Sequence, residues 1–168
     1  MKNLLVILFV TFSTAVIAQI NMDAKAATVD FVFLKDNTFG TVMDVNVSLS
    51  LNLNDLASSS VSGKAQVSSL STGNAMRDKH LKSKNYFETE VYPTMSFESS
   101  SIVKKGDKYF AKGMLTIKDV TKEVSFEVSI TDEAVVFNGT IFALDYGVSP
   151  VNKRENSKVK VSVSISTN

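Results

Sequence analysis

The stretch VNVSLSLNL, residues 45–53, alternates apolar and polar side chains without a break. Successive side chains of a strand point to opposite faces, so Val45, Val47, Leu49, Leu51 and Leu53 share one face. Asn46, Ser48, Ser50 and Asn52 share the other, and the stretch reads as a half-buried strand of unusual length. Working outward, Val159, Val161, Val163 and Ile165 repeat the pattern, as do Val124, Phe126, Val128 and Ile130. Val29, Phe31 and Phe33 begin an early strand. Ala65 and Val67, Met95 and Phe97, and Leu115 and Ile117 mark others, with one more at 135–142.

About eight strands result, joined by short turns at 35–37, 55–60, 105–107, 119–120 and 131–133. Short turns between consecutive strands argue for antiparallel neighbours, hence a meander closed into a barrel or folded as a sandwich. No helical stripe is long enough to cross over a parallel sheet. The class is all-β.

One dipeptide competes with this pattern. Asn138-Gly139 is a strong hairpin signal, yet it sits inside 135–142. The preferred reading is a continuous strand with Gly139 easing a bend. This strand is apolar on both faces, with Val136, Phe142 and Leu144 opposite Val135, Phe137 and Ile141. Another element covers its outer side, or a second subunit does, which would make a homodimer.

The one non-strand region is 72–87. Asn74 can cap a short helix within an insertion near residues 74–86, with Asp78 early and Lys82 late as the helix dipole prefers. Met76 and His80 would share one face, Arg77 and Leu81 the next.

The N-terminus reads as an address. Lys2 precedes an uncharged apolar run from Leu4 to Val16, and Val16-Ile17-Ala18 forms a cleavage site. That run is shorter than the roughly 20 residues that span a bilayer. Residues 1–18 are therefore expected to be a cleaved signal peptide, 19–168 a single domain, and the location periplasmic or secreted. No Cys follows the cleavage site to carry a lipid anchor.

Removing 1–18 takes away one Lys and no acid from 18 basic and 17 acidic residues, which leaves 17 of each. A neutral chain without a basic stripe offers no footprint for nucleic acid or an anionic membrane surface. The chain has no Cys, which excludes thiol nucleophiles and Cys-based zinc sites.

Catalysis finds little material. His80 is the only histidine, and Asp78, two residues away on a helix, would point roughly 160° from it. No Gly-x-Ser-x-Gly elbow is present. Asp78, His80, Glu88 and Glu90 lack any known metal-ligand spacing, so no metal is expected. Arg77, Asp78 and His80 are best read as residues that tie the insertion to the barrel mouth by satisfying its backbone groups. A direct contact with a ligand's polar head is the alternative, and a hydrolase using His80 is a third.

Two longer motifs add to this reading. Residues 71–100, STGNAMRDKHLKSKNYFETEVYPTMSFESS, and residues 113–128, GMLTIKDVTKEVSFEV, resemble the YceI family in the right order. The resemblance covers about 27–165. It implies a lipocalin-like antiparallel barrel that encloses a polyisoprenoid or similar amphiphile, with no cofactor. Ala143-Leu144 precede Asp145-Tyr146-Gly147 where the family has an Asn-Arg-like pair, and the family's early aromatic and His-Ser are absent before Val29.

A barrel of this size is either filled by side chains or hollow enough for one small ligand. The inward stripes nominate Phe31, Val47, Leu49, Val67, Phe87, Phe97, Leu115, Phe126, Val128 and Val161 as the apolar pocket. The expected function is a non-enzymatic exported carrier. The alternative is an envelope structural or interaction protein with a filled barrel.

Overall fold

The computed structural model describes residues 19–24, 27–149 and 151–166, the first of these segments by its backbone alone. The expected leader, 1–18, lies outside the described residues.

Eight strands stand where the alternation places them: β2 (Ala27–Phe33), β4 (Val45–Asn52), β5 (Ser60–Gln66), β7 (Thr94–Lys105), β8 (Lys108–Ile117), β9 (Val120–Ile130), β10 (Ala134–Phe142) and β11 (Lys158–Ser166). Three more were not anticipated: β1 (Gln19–Ala24), β3 (Thr38–Val42) and the two-residue β6 (Leu70–Ser71). β3 hides because Phe39, its largest side chain, is 59% exposed on the polar parity. All pairings are antiparallel, in the order β1-β4-β5-β7-β8-β9-β10-β11-β2-β3-β6.

β3 and β4 stand far apart in that order, yet only Met43 and Asp44 separate them in the chain. Two residues span at most about 10 Å when extended. The sheet must therefore curl until its ends meet. The corner is sealed by Ser69, whose Oγ accepts from the amides of Met43 (3.3 Å) and Asp44 (3.1 Å). Among the described residues no ladder joins β2 to β4, so the barrel closes only partly, along this seam.

Antiparallel succession sorts the connections onto two rims. One rim, here the upper, carries 34–37, the long insertion 67–93, the turn 118–119 and the segment 143–157. The lower rim carries 53–59, 106–107 and 131–133. Asn52 ends β4 there: its Oδ1 accepts from the amides of Asn54 and Asp55, an Asx turn that breaks the alternation before Leu53.

β10 is continuous through Asn138-Gly139, paired with β11 from Ala134 to Phe142. At Phe142 its second apolar face is covered from within the chain. The Arg154 guanidinium lies 3.5 Å from the centre of the Phe142 ring, and Lys158 Nζ lies 5.7 Å from it.

Candidate functional site

The inward stripes do not fill the barrel. They leave an apolar cavity of about 140 Å³ in its upper part. Its walls are mainly Val, Ile, Leu and Phe side chains from β2 to β5 and β7 to β11. Among the described residues Lys64 is the only charged one on the lining, and it is exposed.

Part of the core lies outside the cavity. Leu49, Leu51, Ile102, Ala111, Val128 and Val135 are buried toward the lower rim, outside the cavity lining. What keeps the upper part open is how its rings lie. Phe31, Phe97 and Phe126 each rest against a glycine on the neighbouring strand, Gly40, Gly113 and Gly139 respectively. A ring laid along the wall fills less of the lumen than one directed across it. Phe97 and Phe126 meet edge to face, centroids 5.3 Å apart, a favoured aromatic geometry.

Seven of the ten pocket residues expected from the alternation line the cavity: Phe31, Val47, Phe87, Phe97, Leu115, Phe126 and Val161. The other three do not. Leu49 and Val128 have the inward parity and are buried, but they lie off the lining while their register partners Val61 and Phe137 lie on it, so parity alone does not select the pocket. Val67 is buried, but β5 ends at Gln66 and a 3₁₀ turn over Val67–Ser69 takes Val67 out of the inward stripe and away from the main core.

The upper rim is capped by the insertion. Its helix α1 (Ala75–Lys82) starts at Asn74, whose side chain accepts from the Arg77 amide at 3.0 Å, and it buries Leu81. Thr72 ties it down. Its amide donates to Asp78 Oδ1 at 2.8 Å, and its hydroxyl donates to the same oxygen. Arg77 returns two bonds, Nε to Thr72 Oγ1 at 2.8 Å and Nη2 to the Thr72 carbonyl at 3.0 Å. The Thr72 hydroxyl holds the Asp78 carboxyl below the usual aspartate range. His80 is exposed, with its ring edge to face with Tyr86 at 4.9 Å. Beyond the helix, Lys118 on the next upper turn reaches Glu88 at 3.8 Å and lies over the Tyr92 ring.

Across the same rim runs a second cap. A 3₁₀ turn over Ala143–Tyr146 ends at Gly147, which takes the left-handed conformation (φ 65°) open to glycine. Arg154 grips Asp145 with two parallel bonds, Nε to Oδ1 at 2.8 Å and Nη2 to Oδ2 at 2.6 Å. This bidentate pair holds the Asp145 carboxyl below its ordinary range. Tyr146 follows, 2% exposed and on the cavity lining, with its Oη buried and without a hydrogen-bond partner among the described residues. Burial, with the adjacent Asp145 charge second, pushes its phenol up to about 12. Among the described residues no group of three or more acidic or histidine side chains could hold a metal ion.

The model of the YceI-like domain matches residues 20–168. This chain belongs to the YceI-like family. A UPF0312 protein of Photorhabdus laumondii is 39% identical over 95 residues, which are 56% of this chain and 50% of that protein. A UPF0312 protein of Yersinia pestis is 33% identical over the same shares. The chain thus spans about half the length of the curated relatives it matches. BcnA of Burkholderia cenocepacia has the same fold, with a TM-score of 0.74 at 22% identity over 84% of this chain and 96% of that one. A YceI protein of Campylobacter jejuni gives 0.70 at 21% identity, over 79% and 85%. A polyisoprenoid binding domain from Saccharophagus degradans, implicated in plant cell wall breakdown, gives 0.60 at 14% identity, over 89% and 97%.

In this YceI-like chain, alternation missed the residues that close the upper rim. Tyr146 and Val148 line the cavity from a turn and the loop after it, and Leu70 from the two-residue β6, all too short or irregular for a period to mark the buried side. The Asp145-Tyr146-Gly147 run was the available signal. Its partner Arg154 lies nine residues on, outside any motif, and only the folded turn brings the two together.

Proposed function

We propose that this protein is a non-enzymatic carrier that takes an isoprenoid or similar amphiphile into the upper cavity of its barrel. The observation that supports this is the cavity itself: lined almost wholly by apolar side chains, with no charged group directed into it. Each methylene moved from water into such a space contributes about 0.8 kcal/mol, so an apolar chain binds there with few polar contacts. The polyisoprenoid binding domain among the structural neighbours supports the ligand class. The apolar run and cleavage site at 1–18 support export.

Size limits the reading usefully. About 140 Å³ is close to a cavity known to hold a single benzene ring. A short branched segment fits the walls as they stand. A longer chain requires them to part, and the flexible Met95 and the rim residue Phe87 are the side chains placed to yield. The capping insertion 72–87 would then act as the gate.

The filled-barrel interaction reading draws support from the two-sided apolar strand around Phe142, where Arg154 and Lys158 lie over the ring. Purification of the exported protein without detergent, solvent extraction and mass spectrometry test the proposal. A stoichiometric prenyl or acyl species is expected. A clean extract from folded protein, together with no uptake of added prenyl lipids of graded length, would refute the carrier.

A further inference from the structure

Tyr146 is anomalous in its setting. A buried hydroxyl without a partner costs roughly 1–3 kcal/mol, and buried polar groups in folded proteins are almost always paired. Phenylalanine would fill the same place without that cost. Tyr146 nonetheless lines the cavity with its Oη buried and no protein partner among the described residues.

Its mounting is rigid. The two bonds from Arg154 fix Asp145, the residue before it. The amides of Gly147 and Val148, which follow it, return to the carbonyls of Leu144 and Ala143 at 3.1 Å. Arg154 itself stacks on Phe142 at the base of the turn. Tyr146 is thus held in the turn that closes the upper rim, on the cavity lining.

Resting on the carrier reading, we propose that Tyr146 Oη is the hydrogen-bond donor for a neutral oxygen of the ligand, an alcohol, aldehyde or ketone, so that the ligand sits head-up under the rim with its apolar chain toward the lower core. A phosphate head is disfavoured there. Arg154 is committed to Asp145, the Lys64 side chain is exposed, and no other cationic residue among the described ones lines the cavity. Burying an unpaired anion costs far more than one hydrogen bond returns.

The test compares Tyr146→Phe with the unmodified protein using farnesol, farnesal, farnesene and farnesyl phosphate. Each ligand's affinity ratio between the two proteins removes its own hydration cost, as in a double-mutant cycle. The expected ratio is about tenfold weaker binding in the variant for farnesol and farnesal and near unity for farnesene. The ligand-free variant should melt no lower than the parent, because it loses an unsatisfied group. Equal ratios for the alcohol and the hydrocarbon, or a lower melting temperature for the empty variant, would overturn the assignment to Tyr146 alone. Farnesyl phosphate bound as tightly as farnesol would overturn the neutral head. Failure of the parent to bind any of the four would refute the carrier, and this inference with it.

Discussion

The Phe126 ring lies against the α-carbon of Gly139: a β-carbon there would stand 2.5 Å from Phe126 Cδ1 and 2.8 Å from Cε1. Phe126 belongs to β9 and Gly139 to β10, so the contact is made across neighbouring strands. The same arrangement recurs with Phe31 against Gly40 and with Phe97 against Gly113. A small residue beside each large one lets three inward phenylalanines lie along the wall. Hollowness here is a consequence of where glycine stands.

Gly139→Ala and Gly113→Ala should both destabilise the protein by about 1–3 kcal/mol, the usual cost of overpacking a close contact, but for different reasons. At Gly139 the atoms met belong to a ring that a second change can shrink, so Phe126→Leu should restore most of the loss. At Gly113 the added carbon meets the Glu98 carbonyl and the Ser99 backbone as well as the Phe97 ring. Phe97→Leu should not rescue it. Urea denaturation of the two single and two double variants decides the matter, and equal rescue at both sites would contradict this account.

This contact also shows what was legible in the sequence. The eight main strands and their inward faces follow from alternation alone, because a half-buried strand must repeat at period two. β10 was rightly read as continuous through Asn138-Gly139, but the glycine's role there is to admit a ring. One chain position cannot reveal a partner 13 residues earlier. Which inward side chains border the space is equally hidden, which is why Leu49 and Val128 are expected in the pocket and lie off its lining. The capping residues Tyr146 and Arg154 were invisible as a pair, since turns have no period and their contact depends on the folded backbone.

Gly63 separates the cavity from the fold. It faces inward between Val47 on β4 and Phe97 on β7, and an added β-carbon would meet Asn46 O and Val47 Cγ2 at an ordinary 3.6 Å. Gly63→Ala should raise stability by about 0.4–1 kcal/mol, because it restricts the unfolded chain without a clash. Gly63→Leu should project into the lumen and abolish uptake of a prenyl probe while the protein stays folded. Circular dichroism alongside a fluorescent-lipid displacement assay separates the two effects. Undiminished uptake in a folded Gly63→Leu variant would place the ligand elsewhere.

Arg77 should govern how fast a ligand enters and leaves. Its two bonds to Thr72 come from two nitrogens of one planar group, which a lysine cannot reproduce. Arg77→Ala and Arg77→Lys should therefore both cost about 1 kcal/mol and speed ligand exchange several-fold with little change in equilibrium affinity. His80→Ala should change neither quantity appreciably, since His80 is exposed and its observed ring partner is Tyr86. Stopped-flow uptake of a fluorescent prenyl analogue reads both rates. Unaltered rates in Arg77→Ala would mean that the insertion is a fixed lid.

Acid should loosen both caps together. Asp78 is held below the ordinary aspartate range chiefly by the Thr72 hydroxyl, and Asp145 chiefly by its hydrogen bonds from Arg154. A carboxyl whose folded value lies below its unfolded value of about 3.9 contributes stability that is present above that pH. The contribution is lost as pH falls through the depressed folded value, when the folded state at last takes up the proton. Asp78→Asn and Asp145→Asn should therefore be less stable than the parent near neutrality, and the gap should close below about pH 4. Denaturant titrations across that range check the sign. A gap that persisted undiminished at the acid end would show that packing of the asparagine, and not the carboxylate charge, sets the difference.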